Sequence, residues 1–159
     1  MKNMNIYLNI ALTLVIAVVV GSLVNMAIVM IGPHVIPPPP SVDMSSVESM
    51  KEGVHLLESK HFLFPFLAHA AGTYVGALAA YHFANDYKAV MAMIIGFLFL
   101  LGGISAAMMI PAPTEFILVD LLLAYIPMAY PAIKTLAPDP RLVELEERME
   151  MRETNKEDE

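Results

Sequence analysis

The 159-residue chain contains no cysteine and no tryptophan, and only 16% of its residues are charged. Without cysteine there is no disulfide, no thiolate metal site and no thiol redox chemistry, which excludes the dithiol four-helix membrane oxidoreductases. An excess of positive charge is missing too, since nine Lys and Arg stand against sixteen Asp and Glu, a net charge of −7. Five of those seven charges fall from Asp139 onward, where nine acids meet four bases. The remainder is close to neutral, which argues against a nucleic-acid partner. No P-loop, dinucleotide fingerprint, serine nucleophile elbow or HExxH occurs, and nothing in the chain calls for a cofactor.

What is present is apolar. Hydrophobic residues make up 57% of the chain and the mean hydropathy is +0.62. Four apolar runs, about 6–31, 62–84, 89–110 and 114–136, are each long enough to cross a bilayer at about 1.5 Å per residue. The first is too long for the apolar region of a signal peptide, and no small-x-small cleavage site follows it. The expected fold is an all-α integral membrane protein, an antiparallel four-helix transmembrane bundle. Residues 1–138 form its membrane domain and 139–159 an acidic helical tail, opened by Asp139-Pro140 as N-cap and first helical residue.

Gly32-Pro33 is read as the end of the first span, and 32–61 as an outer loop. Prolines 37 to 40 in this loop form a stiff polyproline II strap. Ser45 or Ser46 then caps a short amphipathic helix reaching about Ser59, with Val47, Met50, Val54 and Leu57 on its apolar side. Asn85-Asp86-Tyr87-Lys88 is a tight turn between the second and third spans. Pro127 and Pro131 predict a kink in the fourth.

Charge sets the orientation. Lys2, Lys88, Lys134, Arg141, Arg148 and Arg152 lie toward the side of both termini, whereas the outer loop has only Lys51 and Lys60 against four acids. The positive-inside rule therefore places both termini in the cytoplasm and the proline strap outside.

In the second span, FLFPFLAHAAGTYVGALAAYHFA, small residues recur at Ala68, Gly72, Gly76 and Ala80 and form a helix-packing row. His69 and Thr73 lie beside that row, one turn apart. With the topology above, Asn25, His69, Ser105 and Asp120 all fall roughly 8–11 Å below the outer surface. One polar residue per helix at a common depth is the pattern of a buried hydrogen-bonded layer or an outward-facing cavity. Asp120 is the sole acid well inside a span, and His69 is its natural partner. The pair reads either as a helix clamp or as a proton-transfer or ligand site, with Thr73 beside it. Tyr74, Tyr125 and Tyr81 either extend a polar path inward or are packing residues.

Metal readings are weaker. HLLESKH offers His55, Glu58 and His61, and the Glu58–His61 spacing is the one used by di-iron carboxylate bundles. Such sites need further carboxylates from facing helices, and only Glu115 and Asp120 are on offer. On a continuous helix His55 and His61 also point about 120° apart. His34 with Met26, Met30, Met108 and Met109 makes a soft-donor set suited to copper, though methionine at helical spacing more commonly contacts lipid or core. No metal site is favoured.

Three stretches, GPHVIPPPPSVD, KHFLFPFLAHAAGTYVGALAA and VDLLLAYIP, together resemble a family of small four-span bacterial inner-membrane proteins of uncharacterised function. The likeness covers about Asn25 to Pro127. It implies a bacterial inner-membrane location and four spans, and it brings no activity, cofactor or catalytic residue.

Two function classes stay open. The small-residue rows and the lack of a complete catalytic set favour a non-enzymatic accessory or scaffold subunit, packed against copies of itself or within a larger membrane complex. The alternative is an outer-leaflet site for a lipid, quinone or proton-coupled solute, centred on His69 and Asp120 and serving a transporter or membrane enzyme.

Overall fold

The computed structural model describes residues 5–139 together with Arg141, Leu145, Arg148, Met149 and Met151. All regular structure among them is helical: α1 Ile6–Val35, α2 Val47–Gly53, α3 Leu63–Phe83, α4 Lys88–Met109, α5 Thr114–Leu123 and α6 Ile126–Leu136. Short 3₁₀ turns at Val54–Leu56 and Ser59–Phe62 join α2 to α3. Four of the described stretches are long and apolar enough to cross a membrane: Ile6–Val35, Ser59–Phe83, Lys88–Met109 and Thr114–Leu136. Most of the expected tail helix lies outside the described residues. At its start, the Asp139 carboxylate accepts the Arg141 N–H at 2.9 Å.

The distribution of side chains is inverted relative to a water-soluble bundle. Large apolar residues such as Leu23, Met26, Met30, Met108 and Leu122 are exposed, and the buried positions are dominated by alanine, including Ala17, Ala68, Ala77, Ala80, Ala92 and Ala129. Such a molecule cannot be held together by moving large side chains out of water. Close approach of backbones does that work, as it does where lipid is the solvent.

α1 and α3 make the closest of these approaches. A Cβ on Gly72 would lie 2.9 Å from both the Asn25 Cβ and the Gly21 carbonyl, and one on Gly76 would lie 3.1 Å from the Ala17 carbonyl. At the far end the Asn9 amide donates to the Phe83 carbonyl and its oxygen accepts the Asn85 N–H. Numbers fall along α1 as they rise along α3. The four row residues Ala68, Gly72, Gly76 and Ala80 are all buried in this arrangement.

Three local features differ from the reading of the sequence. α1 continues past Gly32-Pro33 to Val35, closed by the Ile36 N–H on the Gly32 carbonyl. Gly32 serves packing here, because a Cβ would meet the Phe64 Cβ at 2.8 Å. α2 has the expected Ser46 cap, but it stops at Gly53, whose missing side chain makes room for Val42 of the strap. The fourth span breaks at Ala124–Tyr125, before Pro127, which takes its place in the first turn of α6. Pro127 has no N–H for the Leu123 carbonyl and disfavours helical geometry in the residue before it, so the chain breaks just upstream.

Candidate functional site

Asp120 is the side chain on which the site is built. It lies in α5, 4% exposed, where an unpaired carboxylate would be costly. Two groups satisfy it. His69 of α3 places Nδ1 2.8 Å from Oδ1 and 2.9 Å from Oδ2, and the Tyr125 hydroxyl donates to Oδ2 at 2.8 Å. The helix break is what makes the second bond possible, because Tyr125 is the residue at the break and its backbone departs from helical geometry at φ −118°, ψ −90°. Tyr125 also stacks on the imidazole, with ring centroids 5.6 Å apart. His69 is thus held by a carboxylate at one nitrogen and by an aromatic ring against its face.

Both Asp120 oxygens and His69 Nδ1 are therefore occupied. His69 Nε2 is not: among the described residues it has no hydrogen-bond partner, and it is not among the atoms sealed from solvent. A histidine fixed at one nitrogen by a carboxylate and free at the other can bind, or exchange a proton with, whatever reaches the free nitrogen.

A cavity leads to this residue. His69 and Asp120 line a space of about 450 Å³ at the end of the bundle where the proline strap lies. Its walls come from Val29 and Gly32 of α1 with Ile36 just beyond its end, Phe64 and Pro65 of α3, Ala106 and Ala107 of α4, and Phe116 and Ile117 of α5. Pro38, Met44, Met50, Val54 and Leu57 form its roof. The apolar side of the amphipathic segment (Met50, Val54, Leu57) thus faces this space. A volume in the range of about 300–1,000 Å³, mostly apolar with a few convergent polar groups, is the usual form of a small-molecule site.

The roof is tied down through His61. Its Nδ1 accepts the Glu58 N–H at 3.0 Å, which leaves Nε2 protonated to donate to the Pro37 carbonyl at 3.1 Å. Nearby, the Ser45 N–H and hydroxyl both bond the Asp43 carboxylate, holding its pKa below the ordinary value. The strap is thereby joined to the helix cap that follows it.

The other predicted residues are placed as follows. Thr73 is fully buried one turn inward of His69, with its hydroxyl unpartnered. Asn25 packs its Cβ against Gly72 rather than joining the His69–Asp120 pair. Ser105 is exposed and donates to the Leu101 carbonyl of its own helix. Tyr74 bonds Thr135 near the other end of the bundle. Of the metal candidates, His61 has both ring nitrogens committed to backbone, Glu58 pairs with Lys60 at 3.0 Å, and His55 is exposed. No group of three or more His, Asp or Glu among the described residues has the geometry to hold a metal ion. His34 of the methionine-rich set is bonded to the Met30 carbonyl. Asn9, the buried clamp on the α3–α4 turn, carried no signal in the sequence, because both of its partners are backbone atoms more than seventy residues away.

No protein-family model, curated protein or solved structure matches this chain.

Proposed function

We propose that this chain is an antiparallel four-span protein of a bacterial inner membrane, with both termini cytoplasmic and the strap outside, and that it binds a lipid-soluble small molecule. The cavity over His69 and Asp120 carries this reading. A layer that served only to clamp helices would be closed and dry, whereas here an apolar chamber is lined by His69, whose imidazole keeps one nitrogen unpartnered among the described residues. The scaffold reading draws its support from the small-residue rows. Those on α3 are used against α1 within the chain, so they leave no need for a partner.

The test is extraction. Protein purified in mild detergent should release a lipid-soluble compound in near-stoichiometric amount on organic extraction, detected by mass spectrometry. Ala107→Phe, which fills the chamber from α4, should remove that compound while leaving the helical circular dichroism intact. Equal amounts from both proteins, or none from either, would sink the proposal.

A further inference from the structure

The chemistry of the chamber narrows what it accepts, and the narrowing rests on the ligand-site reading above. Among the described residues, its only ionisable lining side chains are His61, His69 and Asp120. His61 is spent on the Glu58 N–H and the Pro37 carbonyl, and Asp120 on His69 and Tyr125. No lysine or arginine among the described residues lines the space. A phosphate or carboxylate head would find no lysine or arginine to pair with among the described lining residues and would lie beside the Asp120 carboxyl, at a depth where an unpaired charge is costly. The occupant is therefore uncharged, with one polar atom placed for His69 Nε2. That nitrogen can accept from a hydroxyl or, when it carries the proton, donate to a carbonyl. Phe62, Phe64 and Phe116 in the walls suit a flat ring.

A lateral way in would have to pass an aromatic pair. Phe62 and Phe116 line the chamber and also a second, open hollow on the outside of the bundle, with Leu63, Phe66, Glu115 and Val119. Their rings stand 4.9 Å apart, tilted by 36°, and form the partition between the two spaces. The polar floor at His69 lies about 10 Å of helix rise below Phe62. A ring seated on His69 would thus leave a chain attached to it directed toward that partition and the lipid.

We propose that the chamber is a site for a lipid-soluble quinone or quinol, held ring-inward on His69 Nε2, with its tail directed toward the lipid past Phe62 and Phe116, whose rings must part to admit it.

The protein in nanodiscs is titrated with a decyl-substituted benzoquinone, with decanol, diacylglycerol and oleate as competitors. Saturable quinone binding is expected, accompanied by a shift of the His69 Nε2 resonance in ¹⁵N spectra of the wild type. Oleate should not compete. His69→Leu should weaken binding at least tenfold, and Phe116→Trp should slow association while leaving the Nε2 shift in place. The Nε2 resonance keeps the test decisive if His69→Leu fails to fold. Competition by decanol or diacylglycerol as strong as that of the quinone itself would overturn the ring class, although the chamber would still be a ligand site. Absence of quinone binding and of any Nε2 shift would overturn the inference. The ligand-site reading falls with it only if extraction also finds the chamber empty.

Discussion

Gly103 of α4 leaves the space that the Tyr125 hydroxyl occupies. A Cβ built on Gly103 would overlap the Tyr125 hydroxyl oxygen and crowd its ring, and Gly103 is itself buried and lines the chamber. The tyrosine reaches Asp120 only because this position has no side chain. Gly103→Ala should therefore displace Tyr125 and destabilise the protein by about 1–3 kcal/mol, the usual cost of overpacking. In a Tyr125→Ala background the same alanine meets no obstacle, so its cost should fall to near zero. A double-mutant cycle of thermal unfolding in detergent measures the coupling, and equal costs in both backgrounds would refute it.

Replacing Asp120 separates geometry from charge. Asparagine is nearly the same shape, and its oxygen can still accept from Tyr125. Its NH₂ group would then face His69 Nδ1, which must become the acceptor. Asp120→Asn is expected to change unfolding stability by less than about 1 kcal/mol while moving the imidazole proton to Nε2. Imidazole ¹⁵N shifts report that exchange, and an unchanged tautomer would show that Asp120 does not set it. Asp120→Ala should cost more, about 1–3 kcal/mol, because it strands both Nδ1 and the tyrosine hydroxyl.

The meeting of His69 with Asp120 was legible because depth is a one-dimensional property. Span boundaries and a fixed rise per residue put the two on one level, and an isolated buried acid needs a partner. Depth does not give azimuth. Ser105 shares the level, yet its helix turns it outward, where its own Leu101 carbonyl satisfies it. Asn25 faces inward but meets Gly72 of α3. Tyr125 was visible only as one of three tyrosines, since its reach depends on a break whose position the prolines mark but do not fix. The chamber was the least legible feature of all. It exists because the strap, tied by His61, roofs the gap between helix ends, and no pattern within a single helix encodes that.

The glycines make contrasting predictions from one composition. Gly21 is buried against α3, and a Cβ there would lie 2.6 Å from the backbone carbonyl of Gly72, an atom that no rotamer change can move aside. Gly21→Ala should lower thermal stability sharply by forcing the two backbones apart. Gly102, next to Gly103, has nothing within 4 Å of an added Cβ. Gly102→Ala should be neutral or should stabilise α4 by up to about 1 kcal/mol through helix propensity. Similar effects at the two sites would refute the packing assigned to α1 and α3.

Asn9 tests whether the end of the bundle opposite the chamber depends on a single side chain. It is 2% exposed, and its amide spans the Phe83 carbonyl and the Asn85 N–H, joining α1 to the last turn of α3 and the turn into α4. That turn is tight, with Tyr87 in the left-handed region at φ 53°. Asn9→Leu keeps the volume and removes both bonds, at a cost of about 1–3 kcal/mol. The loss should appear as faster hydrogen exchange at Asn85 and its neighbours, with the His69 ¹⁵N signals unchanged. Exchange that stays as slow as in the wild type would mean that the turn is held by other contacts.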